Sequence, residues 1–181
     1  LSQLRLRRGQ QSLDDAALTL LQQAHKIVQF DEQTQISIQD GIGLSVNLTP
    51  QTDTELIGWR ARKHAGLIDV DLVGGQPAAR FWEAVTLCDL TKGGLVLNPD
   101  EFYILASREF VTVPPDYAAE MRAYDTRVGE FRAHYAGFFD PGFGCDASGA
   151  LLTRAVLEVR SHDVPFLIEQ GQTVCRLVYE P

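Results

Sequence analysis

The sequence predicts a mainly β domain, a sandwich, jelly roll or barrel, with one N-terminal helix and short helical turns. Three observations carry this. From residue 35 onward, short apolar-alternating runs recur at 8–12-residue spacing and are cut by Gly-Gly, Asn-Pro-Asp, Pro-Pro and Gly-Gln breaks. Only one stretch, after Ser12, has helical periodicity. With 45% hydrophobic residues, the 181-residue chain can bury a sizeable core and make one domain, or one and a small part.

Residues 1–9, Leu-Ser-Gln-Leu-Arg-Leu-Arg-Arg-Gly, alternate as a strand does. The chain ends in a similar pattern, Val174-Cys175-Arg176-Leu177-Val178-Tyr179-Glu180. That likeness suggests that residues 1–10 close an upstream copy of the fold and that residues 11–181 form the domain itself. The first residue is Leu rather than Met, as in a fragment or processed product.

Ser12 is a natural N-cap, and Asp14 and Asp15 suit the positive end of a helix dipole. Ala17, Leu18, Leu20, Leu21 and Ala24 give that helix an apolar face, which reads as a packing surface. Strands follow at Ile36–Ile38, Ile42–Leu48, Leu56–His64 and Leu67–Leu72, before a turn at Gly74-Gly75-Gln76-Pro77. Phe81-Trp82-Glu83 reads as a short helix or an aromatic plug. Further strands are expected at Leu95–Leu97, Phe102–Leu105, Phe110–Val113, Ala133–Phe138, Ala155–Leu157 and Phe166–Ile168.

Composition excludes several classes. Net charge is −8, from 16 basic and 24 acidic side chains, which disfavours general binding to nucleic acid or anionic membrane. Any phosphate must therefore be met by a local cluster, for which Arg122, Arg127 and Arg132 are candidates. No apolar run approaches the ~20 residues of a membrane helix, and no secretory signal is visible. Cys88, Cys145 and Cys175 are odd in number and widely spaced, which points to reduced thiols and a cytoplasmic setting.

Familiar catalytic motifs are missing. His25, His64, His134 and His162 never fall at metal-ligand spacing, and the His-x-Glu/Pro-Cys-x-x-Cys zinc signature is absent. There is no Gly-x-Ser-x-Gly, Walker loop or Gly-x-Gly-x-x-Gly.

What stands out is the stretch from Arg127 to Arg160. Asp140-Pro141-Gly142 should make a rigid turn, which Phe138, Phe139 and Phe143 anchor. Alternation puts Ala155, Leu157 and Val159 on one strand face and Arg154, Val156, Glu158 and Arg160 on the other. A strand aims a carboxylate better than a loop does. By spacing alone, the bland readings are favoured. Arg127 would be a surface arginine paired with Asp125 or Glu130, and Glu158 would join a charge ladder with Arg154 and Arg160. His134 would be a satisfied histidine, Asp140 a turn residue, and Arg60, Arg62, Lys63 and His64 a solvated strand edge.

Thr126-Arg127-Val128-Gly129, His134-Tyr135-Ala136-Gly137-Phe138-Phe139-Asp140-Pro141-Gly142-Phe143, Val156-Leu157-Glu158 and Gly171-Gln172-x-x-Cys175-Arg176-Leu177 occur in this order. Together they resemble the dCTP deaminases of the dUTPase superfamily, in particular the second half of the long, internally duplicated bacterial form. The likeness covers residues 95–181 well, apart from a longer insert at 144–153, and extends to the Gly41–Leu48 strand.

The resemblance implies a dUTPase-like distorted β-barrel or jelly roll assembled as a trimer, with sites between subunits. It implies zinc-independent hydrolysis of dCTP to dUTP and ammonia, with magnesium carried on the triphosphate. Glu158 would be the general base, taking a proton from water and passing it to the ring and the leaving amine. Arg127 would hold phosphate, the backbone at His134 and Ala136 would line the base pocket, and Asp140 would shape the deoxyribose side. Gln172 belongs to the same substrate-binding set. Cytosine C4 is a poor electrophile, so ring protonation must accompany attack, a task for a partly buried carboxylate.

Two features depart from the family pattern. Ala123 stands where the family has a serine that helps hold the water, and the family's phosphate-covering C-terminal tail is missing, since the chain stops at Pro181. One half of a duplicated enzyme could then supply serine and arginine while the other supplies the glutamate. The alternatives are a non-catalytic structural half and a dUTP diphosphatase-like hydrolase.

Overall fold

The computed structural model describes residues 12–30, 36–50, 55–123, 131–133, 137–145, 153–161 and 163–181. The expected closing strand at 1–10 lies outside them.

Helix α1 (Asp15–His25) begins two residues later than Ser12 would place it. Asp14 is the N-cap, its carboxylate accepting the Ala17 N–H at 2.8 Å. Asp15 accepts the N–H groups of Asp40 and Gly41, tying the helix start to the next strand. Lys26 ends the helix in the left-handed region (φ 48°). Gln22 both donates to and accepts from the Val28 backbone, fastening that end to β1 (Val28–Gln29). Leu18 and Leu21 are buried, whereas Leu20 is exposed.

The sheet is built on β7 (Phe102–Val111). One edge carries β11 (Arg154–Ser161), which continues to β9 (Phe131–Ala133). The other carries, in succession, β3 (Leu56–Ala61), β2 (Ile42–Asn47) and β1. β3 pairs on its far side with β4 (Trp82–Thr86). β2 pairs with β13 (Thr173–Glu180), followed by β8 (Ala118–Ala123) and β10 (Phe138–Phe139). A second, three-stranded sheet orders β12 (Phe166–Glu169), β6 (Gly94–Leu97) and β5 (Leu90–Thr91). All these pairings are antiparallel. The short helical turns are α2 (Ala78–Phe81) and a 3₁₀ turn at Leu87–Asp89. The architecture is the mainly β one the sequence predicts.

The core joins the inward faces of these strands: Leu44, Val46, Tyr103, Leu105, Leu157, Val159, Leu177 and Tyr179, with Leu18 from α1. Most polar atoms taken inside are bonded, the Thr112 hydroxyl being an exception. The Tyr179 hydroxyl donates to Thr112 O at 2.7 Å. The register shift between Arg154 and Val156 takes Ala155 out of the regular ladder, and its N–H donates to the buried Ser107 hydroxyl at 2.9 Å.

One expectation fails, and one strand goes unread, for physical reasons. Leu67–Leu72 is not a strand. Asp69 and Gln76 fold the segment on itself: Gln76 Nε2 donates to Asp69 O at 2.8 Å, and Asp69 N donates to Gln76 Oε1 at 3.3 Å. Conversely, Ala118–Ala123, whose Ala, Glu, Met and Arg content favours helix, is a strand held between β13 and β10. Pro114 and Pro115 lie in the turn that leads into it, where Tyr117 N donates to Pro114 O at 3.0 Å.

Candidate active site

The Asp140-Pro141-Gly142 turn has the expected rigidity. Phe143 N donates to Asp140 O at 3.0 Å and Gly142 N to Val113 O at 2.9 Å, while Gly142 takes φ 88°. Phe139 is buried and meets Phe143 edge-on, with ring centroids 4.8 Å apart. Two of the three phenylalanines anchor the corner, and Phe138 is about half exposed. The Asp140 side chain is exposed at the tip.

Glu158 lies where alternation places it. Ala155, Leu157 and Val159 are buried, while Val156, Glu158 and Arg160 face outward. Its cross-strand partner is Ile104 on β7, and Ile104 in turn pairs with Trp59 on β3. Directly opposed residues share a face, so the carboxylate heads a row continued by half-buried Ile104 and Trp59. Beside that row, Arg160 sits over the Phe102 ring at 5.1 Å, and Phe102 meets Trp82 at 6.0 Å.

The charge ladder does not form. Arg154 donates to the carbonyls of Ser107 and Arg108 and lies 4.3 Å over Phe110. Burial lowers its pKa, only partly offset by Glu109. With Arg160 on Phe102, neither guanidinium reaches Glu158, and no partner among the described residues engages its carboxylate.

Gln172 closes the β12–β13 turn, its side-chain oxygen accepting the Glu169 N–H at 3.0 Å. Its backbone oxygen accepts from Val46 N. Arg127, His134 and Ala136 lie outside the described residues.

Glu158 and Asp140 are not brought together within the chain. Glu158 is opposite Ile104, near the start of β7, whereas the turn bonds Val113, beyond its end at Val111. At ~3.3 Å per residue, the stretch from Ile104 to Val111 alone spans roughly 23 Å. Gln172 docks on β2 at Val46, opposite Ser107, and so belongs to neither place.

Some organised polar groups escape sequence reasoning. The Tyr103 hydroxyl donates to Glu101 Oε2 at 2.5 Å and accepts from Asn98 N at 3.2 Å. Asn98 Nδ2 also donates to Glu101, and Arg60 reaches Glu83 at 2.6 Å and Glu101 at 3.7 Å. Arg60 is thus an organised cation rather than a solvated edge, its pKa raised chiefly by the Glu83 bond. Burial opposes ionisation of Glu101, but the bonds from Tyr103 and Asn98 and the charges of Arg60 and Lys63 outweigh it and lower its pKa. Burial and Glu101 together raise the Tyr103 pKa. Local sequence gives no signal for this set, because strand register assembles it.

A cleft of about 480 Å³ opens at the start of α1, lined by Asp14, Asp15, Asp40, Arg122 and Val178 among others. Arg122 there bonds Ser12 and Glu120, and three carboxylates make the cleft unsuited to a triphosphate. Among the described residues, no three His, Cys, Asp or Glu side chains gather as metal ligands, and no helix is long and apolar enough to cross a membrane.

A curled antiparallel sheet with few helices, presenting a carboxylate from a strand paired on both sides, defines a dUTPase-like β protein. The family described as 2'-deoxycytidine 5'-triphosphate deaminase (DCD), C-terminal domain, matches residues 14–181. The chain belongs to that family.

The 2'-deoxycytidine 5'-triphosphate deaminase of Agrobacterium tumefaciens, known as a crystal structure, superposes with a TM-score of 0.81 at 46% identity. The match covers 95% of this chain and 48% of that one. A protein of Methanobrevibacter smithii named "dCTP deaminase, dUMP-forming" is 34% identical over 88 residues, which are 47% of this chain and 41% of that protein. One of the same name from Kocuria rhizophila is 37% identical over 67 residues, 36% of this chain and 35% of that one. The chain thus matches less than half the length of each of these relatives.

Proposed function

We propose that this chain acts in the hydrolytic deamination of dCTP to dUTP and ammonia, with Glu158 as general base. The observation that carries the reading is the outward carboxylate on β11, left unengaged by both neighbouring arginines, in a chain of the dCTP deaminase family.

In this reading Glu158 accepts a proton from the water that attacks C4 of cytosine and delivers it to N3 of the ring. It then takes the second proton, from the new C4 hydroxyl, and passes it to the exocyclic amine, which leaves as ammonia while C4 keeps the water oxygen as a carbonyl. Glu158 is exposed in the single chain, so the burial that suits a carboxylate to this shuttle must come from a facing subunit or half. The separation of Asp140 from Glu158 also favours a site completed across an interface, in a trimer-like assembly with Arg127, His134, Ala136, Asp140 and Gln172 shared between units.

Magnesium would be held by the oxygens of the triphosphate, since the described residues offer no set of donors for it. Zinc has no role in the scheme, and the cytoplasm is the expected setting.

A second reading has its own support. Both curated relatives are named dUMP-forming, which favours a further hydrolysis of dUTP to dUMP and pyrophosphate. Incubation with dCTP separates the readings. Ammonia with dUTP supports deamination alone, ammonia with dUMP and pyrophosphate supports both steps, and neither product marks a structural half.

A further inference from the structure

Strand β7 bulges where β11 leaves its regular register. Arg154 pairs with Phe110 and Val156 with Ala106, so Ser107, Arg108 and Glu109 face Ala155 alone. Bulges of this kind re-aim side chains and recur beside functional sites. Here the bulge brings two guanidinium groups close together. Arg108 continues the outward alternation of Phe102, Ile104 and Ala106, and Arg154 lies on the outward side of β11 with Glu158.

Arg108 is held in place but not neutralised. Its guanidinium lies 4.2 Å over the Phe30 ring. It also packs against Gly171, where a Cβ would come within 2.5 Å of its Nη1. Among the described residues, no carboxylate or other acceptor bonds its N–H groups. Arg154 uses one nitrogen, Nη1, for the carbonyls of Ser107 and Arg108. The neighbouring acid, Glu109, is committed to β2, where it accepts the Ser45 N–H at 2.8 Å and the Ser45 hydroxyl at 2.6 Å. Burial and the charge of Arg108 both lower the Arg154 pKa, and Glu109 offsets them only partly.

Two cations this close, with one carboxylate already engaged, are an arrangement that a bound anion relieves. Flat guanidinium forks with free edges suit the paired oxygens of phosphate. The ladder also sets the reach of the ligand. Arg108 stands four residues along β7 from Ile104, the cross-strand partner of Glu158, or roughly 13 Å at ~3.3 Å per residue. An extended nucleoside triphosphate covers a comparable span from its base to its outer phosphates. Neither arginine belongs to the Arg122, Arg127 and Arg132 set that the sequence offers for phosphate.

We propose that Arg108, with Arg154 beside it, binds the phosphate groups of a nucleotide whose base lies at Glu158. The placement of the base rests on the deamination reading; the affinity for phosphate does not.

Calorimetric titration with inorganic tripolyphosphate, deoxycytidine and dCTP tests it. Tripolyphosphate should bind the wild type, and Arg108→Gln should weaken that binding by about tenfold or more. Arg108→Lys keeps the charge but not the fork, and should recover only part of the loss. It also keeps an aliphatic stem on Phe30, so it carries the comparison if a circular dichroism melt shows the glutamine variant to be unstable. Arg80→Gln removes the same charge from α2 and should bind as the wild type does. Tripolyphosphate should be displaced by dCTP, and Arg108→Gln should weaken dCTP while leaving deoxycytidine unchanged. A wild type that does not bind tripolyphosphate, full affinity in either Arg108 variant, or tripolyphosphate that dCTP does not displace would overturn the proposal. Failure of the deamination reading looks different: no ammonia from dCTP, with Arg108-dependent phosphate binding intact.

Discussion

Glu158 stands directly across the β11–β7 ladder from Ile104, while its sequence neighbours Leu157 and Val159 are buried on the opposite face. Backbone pairing thus fixes the position of the carboxylate's Cα and the direction of its Cβ, and the core beneath keeps them fixed. That is what a residue exchanging protons with a bound substrate requires.

The polar set next to this ladder should be sensitive to acid. The Glu101 pKa is lowered in the folded chain, so its contribution is present above the unfolded carboxylate value and is lost as pH falls through the folded one. Stability measured by urea titration should therefore fall below about pH 4, and Glu101→Gln should flatten that limb. Tyr103→Phe removes the donor to Glu101 and the acceptor for Asn98 N, and should cost about 1–2 kcal/mol at neutral pH.

Alkaline pH should destabilise the fold through a different residue. Burial pushes the Cys175 thiol up to about 12. The unfolded chain ionises this group near its ordinary value of ~8.5, whereas the folded chain resists. Its contribution is therefore complete below that value and declines as pH rises toward the folded one, at about 1.4 kcal/mol per pH unit. A Cys175→Ala variant, weaker overall from the lost packing, should show a shallower decline between roughly pH 8.5 and 10. In the native state a thiol reagent should modify the exposed Cys88 and Cys145 and spare Cys175.

Gly144 supports the turn that carries Asp140. It takes φ 70°, and a Cβ there would lie 2.3 Å from the Val111 carbonyl oxygen. Gly144→Ala should therefore lose about 2 kcal/mol or more, read as a fall in Tm of several degrees. An unchanged Tm would mean that the corner is looser than its hydrogen bonds indicate.

Where local pattern and tertiary demand agree, the sequence was readable. Alternation located β2, β6, β11, β12 and β13, and it placed Glu158 outward. It misread Leu67–Leu72, because alternation says nothing about whether a sheet edge is free to pair. It passed over Ala118–Ala123, where the neighbours β13 and β10 overrule helix-forming residues. The Glu158–Ile104–Trp59 row and the Tyr103–Glu101–Arg60 set depend on the register of distant strands, which no single segment encodes. The separation of Asp140 from Glu158 was hidden for the same reason. Arg127, His134 and Ala136, taken from family likeness, lie outside the described residues.

The most direct test is ammonia release from dCTP by the wild-type chain and by Glu158→Gln. The substitution is nearly isosteric and exposed, so stability should change by no more than about 0.5 kcal/mol. The account predicts that the wild type releases ammonia and that the variant is slower by about 10²–10⁴-fold. A wild-type chain that releases none, or a variant as active as the wild type, would contradict it.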